Sequence, residues 1–480
     1  MKRSVVLGVD SSTQSTKVVA VDVDSGEIVG IGRAPHSGAD VQDPEDWWQA
    51  LRKATSEVVS DDLAVTGISV AGQQHGCVMI DATGKPVRPA PLWNNVASAA
   101  DARSLSELAD FPSEVGVGLV ASFTITKLAH IARTAPEDLE RTVAVGLPHD
   151  WLNLRLTGTL ATDRGEASGT GWWSPREGRY RRDLLELAIG ARDASRLGLP
   201  EVRGPEEPAG ALSEEAAGAL GLPAGIPVGP GTGDNMGAAL GVGATPGELV
   251  ISLGTSGTAF SVRDEPTSDP TGEVAGFADA TGKFMPLACM LNCTRVVDTM
   301  ASLLGMERAE ALEKAGAQSP GAGGLILLPY FGGERTPNVP DATGTMTGLT
   351  DTTATPDIMI RAALDGVAAG IAYCVEALGR LGITAPAATL VGGGSAHPVW
   401  QQAIADVLGV PVTVRSGQEH AARGAAIQAA AIVRGERVAD VAERWRPPVV
   451  AEIEARDGMC DLFALGERRA MIADMIRASA

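Results

Sequence analysis

Residues 228–260 carry the densest chemistry in this 480-residue chain. They read V-G-P-G-T-G-D-N-M-G-A-A-L-G-V-G, then, after a short connection, E-L-V-I-S-L-G-T-S-G-T-A-F. Asp234 follows a glycine-rich turn and precedes a small-residue run of helical character. The second part reads as a strand, 249–253, that breaks at Gly254-Thr255-Ser256-Gly257 and resumes as a strand. Glycine gives the backbone positive φ and lets a ligand come close. Successive N–H groups in such a turn form an anion nest, and the neighbouring hydroxyls add donors. One base beside one phosphate cradle points to phosphoryl transfer.

The start of the chain has the same layout. Residues 4–9 are apolar and β-branched, a buried strand by pattern. They lead into Gly8-Val9-Asp10-Ser11-Ser12-Thr13-Gln14-Ser15-Thr16-Lys17, and 18–23 form a second strand. Asp10, at the strand end, is placed to hold Mg²⁺, most simply through water, because Mg²⁺ keeps several waters and uses few carboxylates. The competing reading is a turn-forming aspartate. Two strand–Ser/Thr/Gly turn–strand units, each opening one half of the chain, form an internal structural repeat. They predict an α/β protein of two actin-like (ribonuclease H-like) ATPase domains facing each other across a central cleft. The boundary falls near Ala244, giving residues 1–244 and 245–480.

The elements between these hairpins must position the rest. A strand at 65–71 closes at Gly72-Gln73-Gln74-His75-Gly76, a polar turn suited to a hydroxyl-rich ligand because amide and imidazole both donate and accept. Trp93, in Leu92-Trp93-Asn94-Asn95, can pack on the apolar face of a sugar or in the core. Residues 98–145 read as mostly helical. A helix follows that ends at Gly158, with Asp150 as its N-cap. Residues 162–173 are polar, then glycine-rich, then aromatic, as in a cleft lining. The stretch 201–228 reads as surface loops with one short helix. In the second half, strand 325–328 leads into Pro329-Tyr330-Phe331-Gly332-Gly333-Glu334-Arg335-Thr336-Pro337. Thr355 starts a long helix running past Ala377. Strand 389–391 ends in Gly392-Gly393-Gly394-Ser395 before a helix from Pro398, a nucleotide-compatible turn.

Composition sets limits. A net charge of −20 argues against nucleic acid and anionic membrane as partners. The five cysteines are odd in number and form no CxxC pair, which fits a reducing cytoplasm. Cys289 and Cys293 could be half a metal site, but small buried side chains are the simpler reading. The apolar run before Asp10 is too short for a signal peptide. The chain contains no G-x-x-x-x-G-K-[ST], no G-x-G-x-x-G after the first strand and no H-E-x-x-H. That excludes P-loop, dinucleotide-binding and zincin chemistry.

Together these residues resemble the FGGY carbohydrate kinases over nearly the whole chain. Asp10, Thr13 and Lys17 resemble the family's first phosphate hairpin. Gln74-His75-Gly76 is similar to its sugar-binding Met-His-Gly turn, with Gln for Met. Leu92-Trp93-Asn94 resembles a further family stretch, and Gly233-Asp234-Asn235 its catalytic Gly-Asp-Asn. Leu253-Gly254-Thr255-Ser256-Gly257 resembles the second phosphate loop, and Gly392-Gly393-Gly394-Ser395 the adenosine motif. Gly333-Glu334-Arg335-Thr336-Pro337 is similar to a family stretch as well. The chain departs from the pattern at Ser12, usually glycine, at Asn95, frequently an acid, and at His130 in Lys127-Leu128-Ala129-His130, where the family has Lys-x-x-Trp.

The resemblance implies ATP-dependent phosphorylation of a ketose at its terminal hydroxyl, with O5 of D-xylulose the nearest fit. Ribulose, gluconate or glycerol as acceptor, a nucleotide switch that binds protein partners, and a silent sugar sensor are the alternatives. It implies Asp234 as general base with an ordinary carboxylate pKa, a role compatible with a helix N-cap at the same residue. Asp10 would hold Mg²⁺. Gln74, His75, Trp93, Asp234 and Asn235 would bind the sugar. Thr13, Gly254, Thr255, Ser256, Gly393, Gly394 and Ser395 would bind ATP. A homodimer is the implied assembly, with a cleft that closes about a hinge near 242–246 to exclude water.

Overall fold

Strand Arg3–Ser11 is apolar without a break from Val5 to Val9 because both of its faces are covered there. In the computed structural model, which describes residues 2–479, it is buried from Val5 onward. Successive side chains point to opposite sides. Val5, Leu7 and Val9 pack with Trp47, Leu51 and Trp151. Val6 packs with Ala422 and Ala426 on the other face. Gly8 shares the Val6 side, where a Cβ would lie 1.9 Å from the carbonyl oxygen of Ala422. Only a glycine there lets the helix His420–Arg434 press onto the sheet.

From this strand the chain turns back antiparallel as Ser15–Asp22 and again as Ile28–Pro35. Leu63–Gly72 and Pro227–Val228 then add in parallel on the other side. The second sheet repeats the plan. Leu249–Leu253, Gly257–Ser261 and Phe284–Met290 form the antiparallel meander, and Ala388–Val391 and Val412–Arg415 add in parallel. Each sheet has seven strands once edge additions are included. The same arrangement twice in one chain is the two-domain actin-like α/β fold that the repeated hairpins predict.

Two helices organise what surrounds the sheets. Pro356–Arg380 is capped by Thr355, whose hydroxyl accepts the Ile358 N–H at 3.4 Å, and runs through the second core. It is long and apolar enough to cross a membrane, but 72% of its most apolar window is buried within the fold. The helix His420–Arg434 comes late in the sequence yet packs on the first sheet and against Asp234–Val242. There Gly237 and Gly424 interlock so closely that a Cβ on Gly424 would lie 2.0 Å from the Gly237 carbonyl oxygen.

Two local expectations are corrected. Asp150 is not an N-cap but the third residue of helix Pro148–Thr157. Leu147 is the cap, and its N–H donates to Asp150 Oδ2 at 2.7 Å. Pro148 supplies no amide needing a partner, so the helix starts ahead of Asp150. Residues 201–228 hold the expected short helix, Glu214–Leu220, but are not all surface loop, since Pro227–Val228 joins the first sheet.

Candidate active site

The first hairpin fixes Asp10 by register. It stands opposite Lys17 in the ladder and is almost fully buried. Lys17 Nζ lies 3.7 Å from Asp10 Oδ2 and 2.5 Å from Glu419 Oε2. The Ser12 hydroxyl donates to Asp10 Oδ1, so the serine found in place of glycine adds a donor. Burial pushes the Asp10 carboxyl up, and Lys17 partly offsets this. At the tip, Thr13 Oγ1 accepts from Trp93 Nε1 at 2.9 Å. Trp93 is therefore tied to the hairpin rather than to His75.

Asp234 sits at the end of the short strand Thr232–Gly233, which pairs with Ala71 and Gly72. It was expected to double as a helix N-cap, and this is corrected. Gly233 is the cap and Asp234 the first helical residue. Gly233 stays extended to finish its pairing, so the helix begins one residue later. The Asp234 carboxylate instead takes its own neighbour, accepting Asn235 N–H at 2.8 Å and Asn235 Nδ2 at 3.0 Å. Its pKa is also not ordinary. Burial, reinforced by the Asp10 carboxylate, pushes it up to about 7. Asn235 ties three segments together, since its Nδ2 donates to Gln74 Oε1 and its Oδ1 accepts from Thr258 Oγ1, both at 3.1 Å.

His75 lies beyond Gln74 with φ 63°. Its ring is 4.9 Å from that of Phe123 and 5.5 Å from that of Phe277. Burial, with the nearby Arg335 and Lys127 cations, holds its pKa well below the usual range, so the ring is neutral. Nδ1 is 3.0 Å from the Gly169 carbonyl oxygen. A carbonyl only accepts, so Nδ1 carries the proton and Nε2 is an acceptor. Sequence reasoning did not single out Phe123 or Phe277, because an aromatic in an apolar segment reads as core.

The second hairpin tip, Gly254–Ser256, has its carbonyls tied away from the opening. Thr294 N–H and Oγ1 donate to the Gly254 carbonyl at 3.1 and 2.8 Å, and Cys293 N–H donates to that of Thr255 at 3.2 Å. The amides of Thr255 and Ser256 have no protein acceptor among the described residues. Gly392 packs on the same tip, where a Cβ would lie 2.8 Å from the Leu253 carbonyl oxygen. Gly393 faces open space, and Ser395 Oγ donates back to the Gly392 carbonyl at 2.7 Å. The hairpin tip and the triple-glycine turn are thus packed against one another. The structure brings Asp10, Asp234, Asn235 and Gln74 together on one side, and Gly254–Ser256 with Gly392–Ser395 on the other.

Two sheets of the same plan in one chain, with Asp10 and Asp234 brought together beside the first hairpin, mark a two-domain protein of the actin-like ATPase class. Residues 5–241 match the N-terminal domain of the FGGY family of carbohydrate kinases, and residues 249–432 match its C-terminal domain. The chain belongs to that family. It is 45% identical over 470 residues to the xylulose kinase of Streptomyces coelicolor, covering 94% of this chain and 93% of that one. It is 35% identical to the xylulose kinase of Escherichia coli, over 86% of each. The crystal structure of xylulose kinase from Bifidobacterium adolescentis superposes with a TM-score of 0.83 at 36% identity, over 97% of this chain and 99% of that one.

Proposed function

We propose that this enzyme transfers the γ-phosphoryl group of ATP to O5 of D-xylulose. The observation that carries the reading is the pair of carboxylates, Asp10 and Asp234, at the meeting of the first hairpin with the Gly233 turn. The names of the relatives supply the sugar. Sugar recognition falls to residues 1–244 and ATP recognition to 245–480.

Asp234 takes the O5 proton as the acceptor oxygen attacks phosphorus. A carboxylate poised near neutrality is matched to that task. Asn235 fixes its orientation. Gln74, His75 and Asn235 hold the remaining hydroxyls as acceptors, His75 through Nε2 and the two amides through their side-chain oxygens, while Trp93 packs its ring on the apolar face of the sugar. The free amides of Thr255 and Ser256, with the Gly254 turn and Thr13, receive the phosphates, and Gly393, Gly394 and Ser395 receive adenosine. Two carboxylates in each other's field, with one lysine shared with Glu419, suit a divalent cation. Asp10 would hold Mg²⁺ there, and Mg²⁺ supplies neutralisation of phosphate charge. The five free cysteines fit the reducing cytoplasm.

The test is ADP release with ATP and Mg²⁺ against D-xylulose, D-ribulose, L-ribulose, gluconate and glycerol. Turnover with D-xylulose well above the others supports the reading. Preference for another acceptor moves the substrate and keeps the mechanism.

A further inference from the structure

Arg335 is a half-buried cation that makes no ion pair among the described residues. The chain has 59 acidic residues against 39 basic ones, so a guanidinium left without a carboxylate in a cleft has been kept free for something else. Its position is fixed by its own loop. The Glu334 carboxylate accepts from Leu291 N–H at 2.5 Å, Asn292 Nδ2 at 2.9 Å and Arg335 N–H at 2.9 Å. Glu334 and Val339 exchange backbone hydrogen bonds at 3.0 Å, and Thr336 Oγ1 donates to the Glu273 carbonyl at 3.1 Å.

From this clamped loop of the second half, the guanidinium reaches the first. It lies over the Phe123 ring, 5.0 Å from the centroid, and Nη1 makes only a 3.4 Å contact to Ser122 Oγ. Phe123 in turn lies against His75. Gln74, next to His75 in sequence, accepts from Asn235 Nδ2, which also bonds Asp234, so a run of direct contacts leads from Arg335 to the Asp234 carboxylate. The other guanidinium N–H groups have no protein acceptor among the described residues and are not sealed by protein.

The groups lining this stretch are unbalanced in hydrogen-bonding sense. His75 Nε2 and Asp234 only accept. The Asn235 amide is committed to Gln74 and Thr258. Gln74 Nε2 has no acceptor but is enclosed by protein, out of reach of the cleft. Lys127 is buried, with two of its three N–H groups given to the Ala121 and Ser122 carbonyls. A sugar hydroxyl can satisfy an acceptor, but a ketone oxygen can only accept and needs a donor. Among these groups Arg335 is the one whose spare donors are open to the cleft. We propose that Arg335 reads the carbonyl oxygen of the acceptor sugar and so distinguishes a ketose from the polyol of the same carbon skeleton. This rests on the D-xylulose reading above.

The experiment compares kcat/KM for D-xylulose and xylitol in the wild type, Arg335→Met and Arg335→Lys, with ATP affinity and Tm as controls. Loss of a charge-assisted hydrogen bond lowers kcat/KM for D-xylulose about 10- to 100-fold in Arg335→Met, with a smaller loss on xylitol, whose hydroxyl at that carbon can turn and donate to a neighbouring acceptor instead. Arg335→Lys keeps a donor and recovers part of the preference. Equal losses on both substrates, or a ketose-to-polyol ratio unchanged in both variants, overturn the proposal. Should Arg335→Met fail to fold, the ratio in Arg335→Lys decides, and one equal to wild type overturns it. A wild type inactive on D-xylulose overturns both this inference and the function it rests on.

Discussion

Replacing Asp234 by asparagine will abolish turnover and make the protein more stable. The folded-state pKa of Asp234 is about 7 against an ordinary 3.8, because the cleft and Asp10 disfavour its charge. That gap of about 3 pH units, at ~1.36 kcal/mol each, sets a ceiling of ~4 kcal/mol on the cost of ionising the residue in the fold. The side chain is half-buried beside a wet cleft, so about 1–2 kcal/mol is expected in practice. For 480 residues unfolding together that is roughly 1–2 °C in Tm. The folded carboxyl binds its proton more tightly than the unfolded one. The penalty is therefore absent below pH ~4, grows as pH rises through the interval, and is complete above pH ~7. Asparagine keeps the oxygen that accepts Asn235 N–H but carries no charge. Differential scanning calorimetry of both proteins at pH 4.5 and pH 8, with ADP release measured on the same samples, tests this. An inactive variant with Tm raised at pH 8 and the gap shrinking at pH 4.5 is the expected result. A Tm equal to or below wild type at pH 8, or a gap independent of pH, would refute the reasoning.

Wild-type kcat/KM should rise about tenfold per pH unit up to pH ~7 and then level off, because the base works only when ionised; a profile flat from pH 5.5 to 8 would contradict the assignment of Asp234. Gly8→Ala should cost about 3 kcal/mol or more, since its Cβ would meet the Ala422 carbonyl and Ala426 amide, which are backbone and cannot turn aside; urea unfolding with an unchanged midpoint would count against it. Trp93→Phe and Thr13→Val each break the same 2.9 Å hydrogen bond. Each should raise KM, and the double variant should be little worse than either single one, whereas additive effects would separate the two roles. Asp365→Ala strands the buried Arg361, 2.9 Å away, and should cost ~3–5 kcal/mol by the same urea measurement.

The two hairpins were legible because a buried strand ending in Ser, Thr and Gly has a pattern that is local in sequence. Asp10 and Asp234 were legible from equally local patterns, Asp10 where a strand gives way to a turn and Asp234 between a glycine-rich turn and a helical run. Strand Ile28–Pro35 was not, because it is half exposed and carries glycines at 30 and 32. Strand Phe284–Met290 contains Pro286, which a pattern reading assigns to an edge. The cap at Gly233 depends on the pairing of Thr232–Gly233 with a strand far back in the chain. The raised pKa of Asp234 comes from burial and then from Asp10, both of which only the fold supplies. The aromatic pair around His75 is drawn from two halves of the sequence, so no local signal announces it.

The helix His420–Arg434 that covers the first sheet has a consequence for how the protein is made. A ribosome adds about 5–20 residues per second. The opening meander therefore emerges roughly 20–80 s before the helix that shelters Val6, Val19 and Val21. Over that interval the nascent chain shows an apolar strip and open strand surface, the features that recruit holding chaperones. Expression of residues 1–244 alone leaves that strip bare permanently and favours aggregation. In biogenesis a late-made segment is what closes the first-made lobe.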